Sequence, residues 1–347
     1  MKNTMLEFKS TRVLDGHAIS IDAIKVIAIY FVMIIHVCSA SLYEFSSAWM
    51  PTVIVDSVAR PAVPLFIMAT GALLLNKDHS IGSILVRVKR VGIALLTWSV
   101  IYLLYTEGPA SFSAKWLVSI VNGPTASHLW YLYSLIGAYV FLPIFSTFYK
   151  NASPKAILFC IVIWLFAYTV IPALYLVTGF NIGVNWQFSL FGGYLLLGAF
   201  IYEHRQSAYL KSLALIFAWL LSVGLTAYLT YVISISAHQT KEVFFVPSSP
   251  TAAVGAVAIF ALACKFQSKL ANLPTTLLKI IHFFSRTSFG VYLMHILLLI
   301  FIQSKGINST SISPWVGIPL LSFFLMLSCS AAVAVMQKLP YVKRVVS

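Results

Sequence analysis

Charged residues are rare in this sequence: they make up 9% of its 347 residues, and only 9 residues are Asp or Glu. A soluble domain has about 25% charged and about 45–50% apolar residues, whereas this chain is 60% hydrophobic. A single soluble core stops growing at about 250–300 residues, so it could not bury this much apolar surface. The scarcity of charge therefore excludes an ordinary soluble protein and predicts that lipid surrounds most of the chain.

Cysteine is also scarce, and its spacing excludes two further classes of protein. No Cys-x-x-Cys pair occurs, and the four cysteines lie in or at the end of different apolar runs, where cysteine is a common packing residue. We therefore expect neither a disulfide framework nor a bound metal. The four are Cys38, Cys160, Cys264 and Cys329.

The net charge of +14 is of the size that nucleic-acid binding requires, but its distribution indicates a different partner. Basic residues stand in short segments between long apolar runs, which is the pattern that membrane topology produces. A nucleic-acid-binding domain would instead gather them on one face. We therefore expect membrane lipid, and no nucleic acid, as a partner.

Long apolar runs are what the sequence has in abundance. A spanning helix needs about 20 mostly apolar residues, and its backbone must be hydrogen-bonded within the segment, so spans are helices. The sequence predicts an all-α integral membrane protein without a soluble domain: a cytoplasmic N-terminal segment (1–18), a ten-helix membrane domain (19–338) and a cytoplasmic tail (339–347). The predicted spans are 19–42, 52–75, 88–106, 128–148, 155–178, 187–202, 209–234, 250–266, 284–303 and 314–337.

The basic residues between the spans predict the orientation. The chain has 23 Lys and Arg residues in all. When both termini are placed in the cytoplasm, nearly all of those outside the spans fall on the cytoplasmic side. The exceptions on the other side are Lys115, Lys241 and Lys305. This alternation follows the positive-inside rule at each loop, and it supports the span count as well as the direction.

Ionisable residues inside two spans are the first candidates for a site, because such residues are costly in lipid and usually face a cavity or a partner. In the first span Asp22, Lys25 and His36 share one stripe of the helix, with His36 about 16 Å from Lys25 along the axis. The second span carries Arg60, whose guanidinium cannot lose its proton. The alternative is structural: a lysine reaching the membrane surface, a hydrogen-bonded histidine, and a pair between Arg60 and Asp56.

A basic cluster, Arg87, Lys89 and Arg90, begins the third span. Arg87 and Arg90 are three residues apart and share a helix face. Such clusters commonly anchor a helix at the cytoplasmic surface. The other interpretation is a clamp for the phosphates of a nucleotide-like ligand, since guanidinium groups bind phosphate with two parallel hydrogen bonds.

Polar and aromatic residues at two other spans complete the set of candidates. His128 and Trp130 begin the fourth span, where aromatic residues also belong to the membrane interface. Tyr292 and His295 share a face of the ninth span. These residues are candidates for substrate contacts, and a hydrogen-bonded packing pair is the alternative for Tyr292 and His295.

Taken in order, these motifs resemble the acyltransferase 3 family, the membrane O-acyltransferases of bacterial cell-surface glycans. The family's Arg-x10-His motif stands here as Lys25-x10-His36, so a lysine replaces an arginine that could bind with two hydrogen bonds. The resemblance extends from about residue 19 to 345, and the compact chain looks most like the enterobacterial common antigen O-acetyltransferase subgroup. The further matches are Arg60-x3-Pro64-x-Phe66, Arg87-x2-Arg90, His128-Leu-Trp130 and Ser288-Phe-Gly-x-Tyr292-x2-His295.

The resemblance implies an enzyme of the bacterial inner membrane with no permanently bound cofactor. Its acyl donor would be cytoplasmic acetyl-CoA, and its acceptor a hydroxyl of a cell-surface glycan or lipid-linked saccharide at the outer face. His36 would act as general base or carry the acyl group, because an imidazole exchanges protons near neutral pH. The other expected roles are catalysis by Arg60, Lys25 and Asp22, donor binding by Arg87, Lys89 and Arg90, and substrate binding by His128, Trp130, Tyr292 and His295.

A transporter for polysaccharide or a small solute is the alternative function, because it also needs polar groups in the membrane. Secondary transporters often contain inverted repeats with broken helices at matching places, and the Pro and Gly positions show no such match here. A sensory or scaffold domain is a third interpretation, and it would need none of the buried charges. Acetyl-CoA dependence would separate an enzyme from a transporter.

Overall fold

The structure is a computed structural model, and it describes residues 16–179, 192–207 and 211–346. Within these ranges the chain forms α-helices, short 3₁₀ turns and one π-helical turn at Phe166–Val170, and no β-strand. The helices are α1 (Gly16–Leu42), α2 (Trp49–Ala59), α3 (Ala62–Leu74), α4 (Ile81–Glu107), α5 (Lys115–Asn122), α6 (Trp130–Asn151), α7 (Pro154–Leu165), α8 (Ile171–Thr178), α9 (Gly192–Glu203), α10 (Ser212–Ala237), α11 (Pro250–Lys265), α12 (Gln267–Ala271), α13 (Thr275–Ser304) and α14 (Pro314–Met336).

Seven helical segments in the described part of the chain are long and apolar enough to cross a membrane, which confirms an all-α, multi-pass membrane protein. The count of ten spans stays a prediction. Residues 1–15 of the predicted N-terminal segment and residues 187–191 of the predicted sixth span lie outside the described residues. The seven segments are Ile19–Leu42, Trp49–Leu74, Ser127–Asn151, Pro154–Leu176, Ser212–Ala237, Thr275–Ser304 and Pro314–Met336.

Two of the remaining predicted spans correspond to helices outside this set of seven. The predicted span 88–106 lies within α4, a helix of 27 residues whose first turns carry the basic cluster. The predicted span 250–266 corresponds to α11, an apolar helix of 16 residues. At a rise of about 1.5 Å per residue, α11 is shorter than the hydrocarbon thickness of about 30 Å.

The predicted second span is broken in the middle. Helix α2 ends at Ala59 and α3 begins at Ala62, so Arg60 and Pro61 lie between them. Pro61 and Pro64 have no backbone N–H, so neither can donate the hydrogen bond to the carbonyl four residues earlier that continues a helix. This break sets α3 off from α2 at the depth of Arg60.

Helix α1 is the centre of the bundle. It contacts α2, α3, α11, α12, α13 and α14, and the side chains of Ile24, Ala28, Ile29 and Met33 are fully buried. Because partners surround α1, polar groups on it meet other helices or a cavity rather than lipid. His36 is on this helix.

The segment predicted to be a cytoplasmic tail packs against the bundle after α14, and its side of the membrane stays a prediction. A 3₁₀ turn at Val342–Val345 packs beside α4, where the indole N–H of Trp98 donates to the carbonyl of Val345 at 2.9 Å. Val346 is fully buried. Lys343 is therefore held in a defined position beside the bundle.

Helices α3 and α9 pack with their backbones in contact through two glycines. A Cβ atom on Gly71 would overlap the backbone of Leu195, and one on Gly198 would overlap the backbone of Met68. Small residues at helix interfaces let membrane helices approach closely. Since α3 also packs on α1, this approach supports the position of the central helix.

We predict that Gly71→Ala destabilises the protein, because the new methyl group would force α3 and α9 apart. The free energy of unfolding should fall by about 1–3 kcal/mol or more, the usual cost of overpacking. The matched control is Gly137→Ala in α6, where a Cβ would meet nothing within 4 Å. Thermal unfolding in detergent measures both, and equal melting temperatures for the two variants would contradict the close approach.

Candidate functional site

A cavity of about 790 Å³ opens between α1, α3, α4, α6, α13 and α14. One end of it, which we call the basic end, is lined by cations from four parts of the chain, with Asp22 as the only carboxylate among the described lining residues. Such an excess of one sign in a concave, low-dielectric site concentrates anions. The cations are Lys25, Arg87, Arg90, Arg286, Lys338 and Lys343.

Asp22 links α1 to α13 at the basic end. Its Oδ1 accepts a hydrogen bond from the hydroxyl of Ser285 at 2.5 Å, and its Oδ2 lies 3.4 Å from Nδ1 of His282. Asp22 and Lys25 were expected to act with His36, with which they share a helix stripe. The structure instead groups them with the basic cluster at the other end of the helix, far from His36.

Aromatic side chains line the opposite end of the cavity. The rings of Tyr131 and Tyr292 are 5.5 Å apart, and Phe66 lies 6.3 Å from Tyr131. The hydroxyl of Tyr292 donates a hydrogen bond to the carbonyl of His128. These rings separate the cavity from the residues behind them.

Three histidines from three parts of the chain meet behind the two tyrosines. His36 is on α1, His128 is in the 3₁₀ turn Ser127–Leu129 that precedes α6, and His295 is on α13. The ring centroids are 4.8 Å apart for His36 and His295, 5.0 Å for His128 and His295, and 6.2 Å for His36 and His128. We call this group the histidine cluster.

The hydrogen bonds of His295 define its tautomer. Its Nδ1 lies 2.7 Å from the carbonyl of Tyr292, and a carbonyl oxygen can only accept, so Nδ1 carries the proton. In the neutral ring Nε2 is then a bare lone pair, and it is buried with no hydrogen-bond partner among the described residues. The side chain of His36 is partly exposed, whereas His128 and His295 are buried. His36 is therefore the accessible member of the cluster, with an acceptor nitrogen on the ring beside it.

Arg60, predicted to be catalytic, is engaged in structural contacts. Its guanidinium pairs with Asp56 one turn earlier, donates to the carbonyl of Phe245 at 3.0 Å and lies 3.9 Å from the centre of the Phe245 ring. It does not line the cavity. The pairing of Arg60 with Asp56 that the structural alternative expects is present at the break between α2 and α3, and the catalytic role of Arg60 stays a prediction.

Two other predicted residues lie outside the cavity. Lys89 is exposed and is absent from the lining, because it points away from the helix face that Arg87 and Arg90 share. Trp130 is half-buried beside Tyr131, at 6.2 Å between ring centres, and does not line the cavity. Of the residues proposed to hold the donor, only the two arginines meet at the basic end.

Several residues of the site were not singled out in the sequence. Arg286, Lys338 and Lys343 counted there only as basic residues on one side of the membrane, and nothing in their spacing connects them to the third span. Tyr102 lies edge-on to His128 at 5.0 Å and donates to the carbonyl of Leu293 at 2.9 Å. A tyrosine inside a span gives no distinctive sequence signal.

We predict that Asp56→Ala lowers the free energy of unfolding by about 3–5 kcal/mol, because it leaves the buried charge of Arg60 without a partner. The double variant Asp56→Ala/Arg60→Met should recover much of that loss. Thermal unfolding of the purified protein measures both variants.

The control for Asp56→Ala is Asp78→Ala, which removes an ion pair between Asp78 and Lys150 in which the carboxylate is exposed. The hydrogen bond from Lys150 lowers the pKa of the Asp78 carboxyl, so this pair is also charged at neutral pH. Solvent screens such a pair, and its loss should leave the melting temperature unchanged. Equal changes in melting temperature for the two substitutions would show that the buried Arg60–Asp56 pair stabilises the protein no more than an exposed pair does.

Comparison with protein families matches residues 18–335 to the acyltransferase domain of the acyltransferase 3 family. No curated protein and no solved structure matches the chain. The matched range includes both arginines of the basic cluster and all three members of the histidine cluster.

Proposed function

Because the chain belongs to the acyltransferase 3 family, we propose that it transfers an acetyl group from acetyl-CoA to a hydroxyl of a cell-surface glycan or lipid-linked saccharide. We place it in the bacterial inner membrane with ten spans and both termini in the cytoplasm. The basic end of the cavity then faces the cytoplasm, where the donor is found. The same proposal includes the enterobacterial common antigen O-acetyltransferase subgroup.

The observation that carries this proposal is the cavity that joins a cationic mouth to an aromatic inner end. Coenzyme A has several phosphates and a long, slender arm. Arg87 and Arg90 could each bind a phosphate with paired hydrogen bonds, while Lys25 would contribute a single point charge. The volume of about 790 Å³ is within the range of about 300–1,000 Å³ found for small-molecule pockets.

The donor's thioester would have to pass the tyrosine pair to reach His36. Tyr292 packs its ring against Tyr131 and is anchored by one hydrogen bond to the His128 carbonyl. Rotation of this side chain would open a route between the cavity and the histidine cluster. When closed, the pair would keep cytoplasmic water away from the reacting groups.

In the proposed transfer, His36 accepts the proton of the acceptor hydroxyl while the hydroxyl oxygen attacks the carbonyl carbon of the thioester. An ester C–O bond forms and the C–S bond breaks. Coenzyme A leaves as a thiolate, which takes the proton from the imidazolium. Nε2 of His295 has no hydrogen-bond partner among the described residues. For the transfer, the His36 ring would turn so that its N–H donates to this lone pair, which would orient His36 and stabilise the imidazolium. If His36 is instead the nucleophile, the acetyl group passes through an acyl-imidazole to the same products.

A transporter could also contain a cavity open to one side, so the cavity alone does not distinguish the two functions. Two observations favour catalysis: the family is one of acyltransferases, and a cluster of three imidazoles lies directly behind the tyrosines that line the inner end of the cavity. Acetylation that requires acetyl-CoA supports the enzyme. Solute flux that is independent of acetyl-CoA would support the transporter.

We predict that His36→Ala lowers the rate of acetyl transfer by about 10²–10⁴-fold, the usual contribution of a general base. The measurement is the base-labile acetyl content of the surface glycan, determined by mass spectrometry in cells with and without the protein. The control is His79→Ala, since His79 lines neither the cavity nor the histidine cluster. Wild-type acetylation by a correctly inserted His36→Ala protein would refute this role.

We predict that Arg87→Gln/Arg90→Gln raises the KM for acetyl-CoA by about 10²–10⁴-fold, because each arginine loses a charge-assisted hydrogen bond to phosphate that is worth about 1.5–3 kcal/mol. Lys89→Gln is the matched control: it removes a positive charge from the same helical turn but outside the cavity. Its KM should stay within about twofold of wild type, since an exposed charge contributes little. Initial rates with labelled acetyl-CoA measure both, and equal effects would mean that only the net charge matters.

A further inference from the structure

A second cavity, of about 450 Å³, lies at the other end of α1 from the basic end. Ala40 and Ser41 of α1 form part of its wall, and the connections from α1 to α2 and from α13 to α14 form the rest. Ala40 is about 22 Å along the helix from Lys25, but it is only one turn, about 6 Å, beyond His36. The histidine cluster is therefore situated between the two cavities. The ring of Tyr292, which lines the cationic cavity, is 6.0 Å from the ring of His295, and Ala40 of the second cavity is one helical turn from His36.

Most of the described residues that line this cavity are polar, and none of them is a cation. It offers four hydroxyls, one amide and one carboxylate, the groups that form hydrogen bonds with the hydroxyls of a sugar. The carboxylate of Glu44 has no hydrogen bond or ion pair with any described residue, so its oxygens are available to a ligand. The polar residues are Ser41, Glu44, Ser46, Ser47, Asn308 and Thr310.

A phosphate or an acidic sugar would not suit these groups. An anion inside the cavity would meet the negative charge of Glu44 with no lining cation to offset it. Two like charges a few ångströms apart repel each other even in a solvated site. A sugar that has only hydroxyl and amide groups meets no such repulsion, and a carboxylate accepts hydrogen bonds from two neighbouring hydroxyls.

We infer that this polar cavity binds the saccharide acceptor and selects sugars without a negative charge, with Glu44 as the residue that determines this selectivity. The inference rests on the proposed function for the identity of the bound sugar as the acceptor. A sugar hydroxyl at the inner wall would face His36 across one turn of α1. The donor and the acceptor would then approach the histidine cluster from opposite ends of the central helix.

The test is protection of a cysteine placed in the cavity. In a Ser47→Cys variant, the rate of modification by a membrane-impermeant maleimide is measured with and without two probes, N,N′-diacetylchitobiose and the glucuronate-containing disaccharide of hyaluronan. We expect the neutral disaccharide to slow modification at about tenfold lower concentration than the acidic one. In Ser47→Cys/Glu44→Gln this difference should disappear.

Two controls make the result specific to the cavity. Ser113→Cys places a cysteine in an exposed connection outside it, where neither sugar should slow modification. Glu242→Gln, added to Ser47→Cys, removes a carboxylate that is bonded to Tyr43 and does not line the cavity, so the difference between the probes should persist. Equal protection by the two disaccharides, or none from either, overturns the inference.

The same preparation distinguishes failure of this inference from failure of the proposed function. Protection is measured without acetyl-CoA, so it reports sugar binding whether or not transfer occurs. The transfer assay uses labelled acetyl-CoA and surface polysaccharide from which base has removed the existing acetyl groups. Selective protection without transfer would support the sugar site and overturn the proposed reaction. Transfer without selective protection would overturn the site alone.

Discussion

Lipid cannot hydrate a charge, and this constraint governs where each ionisable group of the bundle lies. Arg60 is buried at a helix break and is tolerated because Asp56 and the carbonyl of Phe245 surround it. Asp22 is held by Ser285 and His282. The cations that line the cavity lie together at its basic end, where solvent can enter. In the interior, imidazoles take the place of permanent charges, because they can be neutral there.

The same constraint makes α1 the axis of the proposed chemistry. Helices surround it on most sides, so its polar residues open into cavities rather than into lipid. One cavity, near Lys25, is rich in positive charge. In the other, near Ala40, Glu44 is the only charged residue in the part of the lining that the structure describes. Opposite electrostatic preferences at the two ends of one helix would keep an anionic donor and an uncharged acceptor on their own sides. The tyrosine pair closes the cationic cavity before it reaches the histidine cluster.

How far the site could be predicted depended on whether its residues stand near one another in the chain. Arg87 and Arg90 share a helix face by their spacing, and the structure places both in the cavity. Lys89 lies between them in sequence, but helical geometry turns it away. Arg60 and Asp56 are one turn apart, so their pairing was one of two alternatives open in the sequence, and the structure shows that the pair forms. Asp22 and Lys25 share a stripe of α1 with His36, but a shared stripe does not make residues close in space. The rise of the helix places Lys25 about 16 Å from His36.

The amino-acid sequence by itself determined that this is an all-α membrane protein of several spans. Hydropathy is a property of each local segment, and a long apolar segment in lipid must be helical to satisfy its backbone hydrogen bonds. Its motifs also identified the acyltransferase 3 family. Only the tertiary structure decided that His36, His128 and His295 form one cluster, that Arg286, Lys338 and Lys343 join the arginines of α4, and that a polar cavity lies one turn beyond His36. These groups come from segments far apart in the chain. Side-chain packing between helices brings them together, and hydropathy does not predict which helices pack against one another.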